Sequence, residues 1–296
     1  DPIVGTQQLN DGTLIRVFFV SGKVCFATNK CLDANKASWE KVDSFERIFC
    51  ETAEFLGIDF TQLDQQMTYY FVLQHHLNRI VSPVIDNSII FIGSYLNEDG
   101  SPTKTTIPNV SFTVEIEPII DNPTIFLQNL VQNLETLPWN IPGFFLTTKS
   151  GKSIRVEGRN YSHVSKIKGN MVSRGKNWTM NKDVSPASYR LIQIFKEQKI
   201  GEFLYYFPEY KNTVDKVYSD LIILMNDIHT EYRAVKVSKT KEQAIDRFIT
   251  FINHAHKKWL QTKLPVNLED IWYLILTCPM DTLMKALKYK DTSVVV

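Results

Sequence analysis

The feature that most constrains the fold is a change in hydrophobic periodicity near residue 184. Before it, short runs of β-branched and aromatic residues alternate with turn residues; after it, apolar residues recur at spacings of three and four. The first pattern is typical of antiparallel strands and the second of amphipathic helices. The sequence therefore predicts an α+β chain, with a domain dominated by antiparallel sheet over residues 1–183 and an all-helical domain over 184–296.

Within the first domain, two apolar runs flank Ser21-Gly22, which predicts a β-hairpin over residues 13–28. A second hairpin is predicted over residues 143–158, turning at Ser150-Gly151. Single strands are predicted over four segments: 69–76, 88–96, 109–119 and 163–170. Two helices are predicted over residues 39–57 and 123–137.

After residue 183, helical spacing predicts a separate domain with few strand signals. Ser185-Pro186 is a suitable cap and first turn for its first helix. The predicted helical segments are 186–206, 210–235, 241–260 and 267–288.

The charge distribution is uneven, although 33 basic and 32 acidic residues give a formal net charge of only +1. Residues 1–148 hold 8 basic and 17 acidic residues, whereas residues 149–182 hold 9 basic and 1 acidic. A concentrated cationic stretch is typical of proteins that bind polyanions such as RNA. The alternative interpretation is a solvated basic hairpin pair without a ligand.

Composition narrows the class of protein. No run of eighteen apolar residues exists, so no membrane span is expected, and the amino terminus lacks the features of a signal peptide. Four cysteines, Cys25, Cys31, Cys50 and Cys278, have no metal-ligand spacing. We interpret them as free thiols, which predicts an intracellular, reducing compartment.

Several short motifs follow one another in the order found in a known family of enzymes. They are DGTLI (11–15), ATNK (27–30), YFVL (70–73), NRIV (78–81), PGFFL (142–146), KIK (166–168) and YYFPEY (205–210). In this order and rough spacing, the chain from residue 9 to about 232 resembles the ATP-dependent RNA ligases of the bacteriophage type. The resemblance implies a covalent-nucleotidyltransferase fold for the sheet domain.

The same resemblance implies that the reacting groups are missing. Enzymes of this family attack ATP with a lysine amine to form a lysine–AMP intermediate, and carboxylates hold the ribose and the metal ion. Leu9 stands at the position of that lysine, and Val72 and Pro142 stand at the two carboxylate positions. The resemblance therefore implies no catalytic residue and no metal ligand here, with ATP and magnesium as cofactors only if activity is retained.

Other positions of the motifs keep residues suited to binding a nucleotide or phosphate. These are Lys166, Lys168, Lys30, Arg79, Asp11 and Gly12. Two alternatives stay open: Glu157-Gly158 is a second match to the family's glutamate-glycine motif, and Lys23 or Lys30 could act as a relocated nucleophile.

Histidines supply two further candidate sites. His75 and His76 follow a predicted strand, where neighbouring residues point to opposite faces, so a shared metal ion is not expected. His254, His256 and Trp259, with Lys257 and Lys258 between them, form a basic aromatic patch near a helix end. This patch fits either nucleic-acid contact or the ordinary preference for cations at a helix C-terminus.

Three functions are consistent with the sequence. The first is a catalytically degenerate RNA-ligase-like protein that retains RNA or nucleotide phosphate binding, with RNA held by the 149–182 stretch. The second is a structural protein built on a recruited ligase fold, for example in a virus particle, with protein assembly partners. The third is an active ATP-dependent RNA ligase with a relocated lysine. The viral alternative implies a virus particle or the cytoplasm of an infected cell as the location.

Overall fold

The computed structural model describes residues 2–38, 43–112, 115–116, 123–150, 152–169 and 185–287. The chain divides into two compact units, Asp1–Lys166 and Ile167–Val296. The sequence placed its domain boundary after residue 183, so the two divisions assign residues 167–183 differently. The first unit is built on antiparallel sheets and the second is helical, which confirms the predicted α+β class.

The larger sheet of the first unit has six strands. Its strands are β2 (Thr13–Val20), β3 (Lys23–Thr28), β4 (Met67–Gln74), β5 (Ser88–Leu96), β6 (Pro102–Thr103) and β7 (Ser111–Phe112). The spatial order is β3-β2-β4-β5-β6, and β7 pairs with β5 in parallel. The turn between β2 and β3 has positive φ at both Ser21 and Gly22, as a two-residue hairpin requires, so that prediction is confirmed.

The core of this sheet is an aromatic cluster covered by helix α1 (Phe45–Leu56). Ser44 caps the helix by accepting a hydrogen bond from the Arg47 backbone N–H, and the helix ends before Gly57. Five rings pack with centroids 5.2 to 5.8 Å apart: Phe26, Phe49, Phe60, Phe71 and Phe91. Each such pair contributes about 0.5–1.5 kcal/mol to stability beyond the burial of its apolar area. The aromatic cluster therefore stabilises the sheet that carries the candidate site.

The smaller sheet has four strands in the order β10-β9-β1-β8. Its strands are β1 (Ile3–Gln8), β8 (Glu115–Ile116), β9 (Gly143–Thr148) and β10 (Ser153–Glu157). The hairpin predicted over residues 143–158 is confirmed, and α2 (Pro123–Thr136) begins at the predicted proline. The strand predicted over 109–119 is β7 and β8 in two different sheets, with residues 113–114 and 117–120 outside the described part of the chain.

The strand predicted over residues 163–170 is wrong, because this segment lies in helix α3 (Arg159–Lys168). Tyr161, Val164 and Ile167 are buried at a spacing of three, which is one face of a helix. The apolar residues of the segment therefore follow a helical period and not an alternating one. Residue 170 lies outside the described residues.

The second unit is a helical bundle around α6. Its helices are α4 (Pro186–Lys196), α5 (Ile200–Tyr206), α6 (Lys211–Tyr232), α7 (Ile249–Thr262), α8 (Leu268–Thr277) and α9 (Met280–Ala286). Ser185 caps α4 through its hydroxyl, as predicted. The ammonium group of Lys196 donates to the carbonyls of Ile275, Leu276 and Cys278 at the end of α8, which ties α4 to α8.

Two of the long helices predicted for this unit are each broken in two. Residues 186–206 form α4 and α5, separated where Gln198 has positive φ, and residues 267–288 form α8 and α9, separated at Pro279. The helix predicted over 241–260 begins only at Ile249, after a short 3-10 turn. Within the described residues, no helix is both long and apolar enough to cross a membrane.

Candidate functional site

Asp11 is the centre of the site that the motifs predict. It lies between β1 and β2, and one carboxylate oxygen accepts the backbone N–H groups of Val81 (2.8 Å) and Ser82 (2.6 Å). The other oxygen accepts the hydroxyl of Tyr161 at 2.7 Å. The Asp11 carbonyl accepts the side-chain amide of Gln74 at 2.9 Å. A single residue therefore joins four separate segments of the first unit, and each hydrogen bond of this kind contributes about 0.5–3 kcal/mol, with the higher values for a charged acceptor.

Tyr161, on α3, was not among the residues singled out from the sequence. Its side chain is buried, and burial together with the Asp11 carboxylate raises the pKa of its hydroxyl well above the usual value. The hydroxyl therefore stays protonated and donates to Asp11. The signal that could have found it is the helical spacing with Val164 and Ile167, which places Tyr161 on the buried face of α3.

Leu9, at the predicted nucleophile position, is only 3% exposed. Its backbone N–H donates to the carbonyl of Gly143 at 2.9 Å, which brings the Leu9 segment beside the Pro142-Gly143 position. Pro142 is buried, and its carbonyl accepts the N–H of Gly158 at 2.9 Å. Gly143 has a φ of 132°, and a Cβ there would lie 2.2 Å from the Val156 carbonyl oxygen, so only glycine fits at this crossing.

Val72, at the other predicted carboxylate position, lies beside Gly12. A Cβ on Gly12 would be 2.5 Å from both the Val72 Cγ1 atom and the Leu73 carbonyl oxygen. The motif glycine is thus required by the close approach of β4, and the Val72 side chain, 7% exposed, fills the space next to it. The three positions expected to carry a lysine and two carboxylates all hold buried apolar residues around the Asp11 network.

The second match to the glutamate-glycine motif lies directly across the hairpin from the first. Glu157 is the register partner of Gly143 between β10 and β9. Its carboxylate forms an ion pair with Arg155 at 2.8 Å, and the side chain is exposed. Both candidates for this motif therefore meet at one place in the smaller sheet.

The NRIV segment folds back on itself. The Arg79 guanidinium donates through Nε and Nη2 to the carbonyl of Val81 at 3.1 and 3.0 Å. The Asn78 amide nitrogen donates to the Thr13 hydroxyl at 2.5 Å, whereas its buried oxygen has no hydrogen-bond partner among the described residues. Arg79 and Asn78 thus stabilise the loop whose backbone N–H groups, at Val81 and Ser82, donate to Asp11.

The predicted lysine pair does not project from one strand. Lys166 and Lys168 are two residues apart on α3, so they point to different sides of the helix. Lys166 is exposed, whereas Lys168 is 5% exposed, with its Nζ atom 5.2 Å from the ring centroid of Phe207 and 5.7 Å from that of Tyr210. Lys168 therefore contributes a cation–π contact within the second unit.

The candidates for a relocated nucleophile are both on the surface. Lys23, the first residue of β3, and Lys30, after its end, are exposed. The thiols are poor substitutes where they are buried, because burial raises the pKa of Cys50 to about 11 and also raises that of Cys278. All four cysteines are free, as expected.

A metal site is not found among the described residues, where no group of three or more His, Cys, Asp or Glu side chains is placed to hold an ion. His75 and His76 do not point to opposite faces as expected, because they lie past the end of β4, and their rings stack at 4.4 Å. His75 accepts the Leu77 backbone N–H at 3.2 Å, and burial lowers its pKa. These contacts hold the loop that follows β4.

Comparison with known proteins gives distant relatives. No protein-family model matches the chain. It is 24% identical over 234 residues to the "Immediate-early protein ICP-46 homolog" of Invertebrate iridescent virus 3, a match that covers 75% of this chain and 47% of the relative. The chain thus spans about half the length of that protein.

Among solved structures, the chain is similar to RNA ligases of Naegleria gruberi. A mutant with ATP and Mn gives 9% identity and a TM-score of 0.38, covering 56% of this chain and 52% of the ligase. The form with PPi gives 8% identity and a TM-score of 0.39, covering 55% and 51%.

The Asp11 network predicts a large loss of stability on truncation. Asp11→Ala leaves the Val81 and Ser82 N–H groups and the Tyr161 hydroxyl without their acceptor, so we expect the free energy of unfolding to fall by about 2–4 kcal/mol. Tyr161→Phe removes one donor only, and we expect about 1 kcal/mol. Urea unfolding followed by circular dichroism measures both.

The matched control is Asp86→Ala, which removes an exposed carboxylate from the same unit. We expect a change within about 0.5 kcal/mol. If Asp11→Ala were as harmless as this control, Asp11 would not be the anchor of the site.

Proposed function

We propose that this chain is a catalytically silent RNA-ligase-like protein that binds RNA through an exposed basic surface. The order of the motifs along the chain supports the likeness to RNA ligases. The single observation that carries the loss of catalysis is the position of Leu9, a buried apolar side chain next to an aspartate whose two oxygens already accept three hydrogen bonds.

Adenylyl transfer needs an amine with a free lone pair near the α-phosphate and acidic groups that hold a divalent metal ion. Leu9 supplies no lone pair, and Val72 and Pro142 supply no oxygen ligand from their side chains. Asp11 does carry a carboxylate, but its oxygens accept hydrogen bonds from Val81, Ser82 and Tyr161, and the Glu157 carboxylate is paired with Arg155. We infer that the site is kept because it folds the unit, not because it reacts with ATP.

The basic surface consists of five exposed side chains in the β9–β10 hairpin and α3: Lys149, Lys152, Arg155, Arg159 and Lys166. Arg159 and Lys166 are seven residues apart on α3 and share one face. Arg155 forms an ion pair with Glu157, so its charge contributes less to the cationic field of this surface. Because the rest of the first unit is acidic, such a field would orient a phosphate backbone toward this surface.

The viral relative supports a role in the infected cell. Its name describes an immediate-early protein of a virus. We therefore propose that this chain acts on RNA inside the infected cell, with the lysines of the basic surface contacting phosphates and no base-specific readout.

The first prediction from this proposal concerns ATP. Incubation with α-labelled ATP and magnesium is expected to leave the protein without covalent label, because no amine occupies the reacting position. Mass spectrometry of the tryptic peptides provides the readout. An AMP-modified lysine peptide would contradict the proposal, and the variants Lys23→Ala and Lys30→Ala would then show which exposed lysine had reacted.

The second prediction concerns RNA. Binding of a single-stranded RNA of mixed sequence should weaken steeply with salt, since each phosphate contact contributes about −0.7 to the slope of log K against log salt concentration. The triple variant Lys149→Ala, Lys152→Ala and Lys166→Ala should reduce that slope by about two and weaken binding at low salt. Fluorescence anisotropy across a salt series measures both quantities.

The control variant removes the same charge elsewhere: Lys104→Ala, Lys216→Ala and Lys285→Ala, all at exposed positions. Its RNA affinity and salt slope should match those of the unmodified protein more closely. Equal losses in the two triple variants would mean that binding depends on net charge alone, and absence of binding at low salt would refute RNA binding.

A further inference from the structure

A second candidate site lies wholly within the helical unit, at the end of α6. A cavity of about 860 Å³ opens there between the end of α6, one face of α7 and the segment that leads into α8. Its size falls within the range of about 300–1,000 Å³ typical of small-molecule sites. The lining residues that matter for its chemistry are His229, Arg233, Lys236, His256, Trp259 and Glu269.

The walls of this cavity are fixed by polar contacts. Lys258 on α7 forms an ion pair with Asp270 on α8, and Asn267 and Asp270 form a reciprocal capping box at the start of α8. His229 on α6 contacts the Val266 carbonyl at 3.2 Å through Nε2. These contacts hold the three walls together, and a wall that is already ordered lowers the entropic cost of binding a ligand.

The end of α6 has an unusual backbone. The helix continues as a π-helical turn over Arg233–Val237, and turns of this kind are often found at functional sites. The turn places Arg233, Lys236 and Val237 in the cavity lining. Neither basic side chain makes a hydrogen bond or ion pair with the described residues of the chain, so both can meet an external anion.

An aromatic surface lines the same cavity as these cations. The rings of His256 and Trp259, one turn apart on α7, are stacked with centroids 5.3 Å apart and planes 15° apart. Trp259 remains 37% exposed, and the Lys263 Nζ atom lies 4.9 Å from its ring centroid. The buried Nδ1 atom of His256 has no hydrogen-bond partner among the described residues, so ring stacking, not a polar contact at Nδ1, holds this side of the imidazole.

We propose that this cavity binds a nucleotide, with the base against the Trp259–His256 ring pair and the phosphate held by Arg233 and Lys236. A flat π surface beside two cations matches a ligand that is both planar and anionic. The site does not depend on the proposed function of the first unit, because all of its residues belong to the second. The same chemistry is offered by a free mononucleotide and by the 5′-terminal nucleotide of an RNA strand.

This proposal also assigns the basic aromatic patch seen in the sequence. Of its members, His256 and Trp259 line the cavity, and Lys258 is used in the ion pair with Asp270. Lys257 is exposed and lies outside the cavity lining. Helix α7 has no basic residue in its last turn, so a helix-terminal preference accounts for neither lysine, and it gives no reason for a stacked His–Trp pair beside a π-helical turn.

Equilibrium dialysis of the full chain against AMP, adenosine and ribose 5-phosphate tests the assignment. AMP should bind about tenfold more tightly than either fragment, because it alone engages both the rings and the cations. Trp259→Ala should weaken AMP binding by about tenfold or more, and Trp259→Phe should keep most of it. Arg233→Ala with Lys236→Ala should weaken AMP binding but leave adenosine binding nearly unchanged.

Two variants serve as controls in the same unit. Tyr273→Ala removes an exposed aromatic ring and Lys257→Ala removes an exposed charge, both outside the cavity lining, and AMP affinity should not change. The proposal is overturned if AMP, GMP, CMP and UMP show no saturable binding up to about 1 mM, or if cavity and control variants behave alike. Ribose 5-phosphate binding as tightly as AMP would also overturn it.

A further arm separates the two sources of the ligand. If 5′-phosphorylated oligoadenylate competes with AMP and its 5′-hydroxyl counterpart does not, the ligand is the end of an RNA strand; if neither competes, it is a free nucleotide. The Lys149, Lys152 and Lys166 triple variant should bind AMP normally. Failure of RNA binding at the basic surface and failure of AMP binding at this cavity are therefore separate results.

Discussion

The hydrogen bonds of the Asp11 carboxylate hold the first unit together at the place where the motifs meet. This one side chain connects the β1–β2 segment with the Val81-Ser82 loop and with Tyr161 on α3. The backbone N–H of Leu9 donates a hydrogen bond to the carbonyl of Gly143, the residue after Pro142. Gly12, next to Asp11, packs against Val72. Asp11 therefore acts as an internal hydrogen-bond acceptor, and each of its carboxylate oxygens already accepts at least one hydrogen bond from the chain itself.

Under the proposed function, this structural role of Asp11 explains how the site keeps part of a motif without the reacting groups. Gly12 and Gly143 are fixed by close backbone approach, and Asp11 by three donors, so each is costly to change whatever the chemistry. Under the same proposal, the positions of the nucleophile and of one metal-holding carboxylate carry no such backbone requirement. Leu9 and Val72 fill them with apolar side chains, which stabilises the unit through burial.

Periodicity in the sequence was sufficient to predict the α+β class, the β2–β3 hairpin and the start of α2, because each depends on local residue preferences. It failed for α3, where the spacing of Tyr161, Val164 and Ile167 is the helical signal that the alternating interpretation missed. The periodicity also did not predict the helix breaks at Gln198 and Pro279, because the apolar spacing continues on either side of each break. The motif positions around Asp11 could be identified from the sequence. Their hydrogen bonds to Val81, Ser82 and Tyr161 could not be predicted, because these contacts join residues that are 70 to 150 positions apart.

We propose that the cations of the two units bind different kinds of ligand. In the first unit, the exposed lysines and arginines of the β9–β10 hairpin and α3 form the proposed basic surface, which is suited to a phosphate backbone. In the second, Arg233 and Lys236 line an open cavity that the stacked rings of His256 and Trp259 also line, which is suited to a single nucleotide. Hydrogen–deuterium exchange at Val81 and Ser82, with and without ATP and magnesium, tests the central claim most directly. The account predicts slow exchange that ATP does not alter, because Asp11 already binds both amides; fast exchange that slows when ATP is added would contradict it.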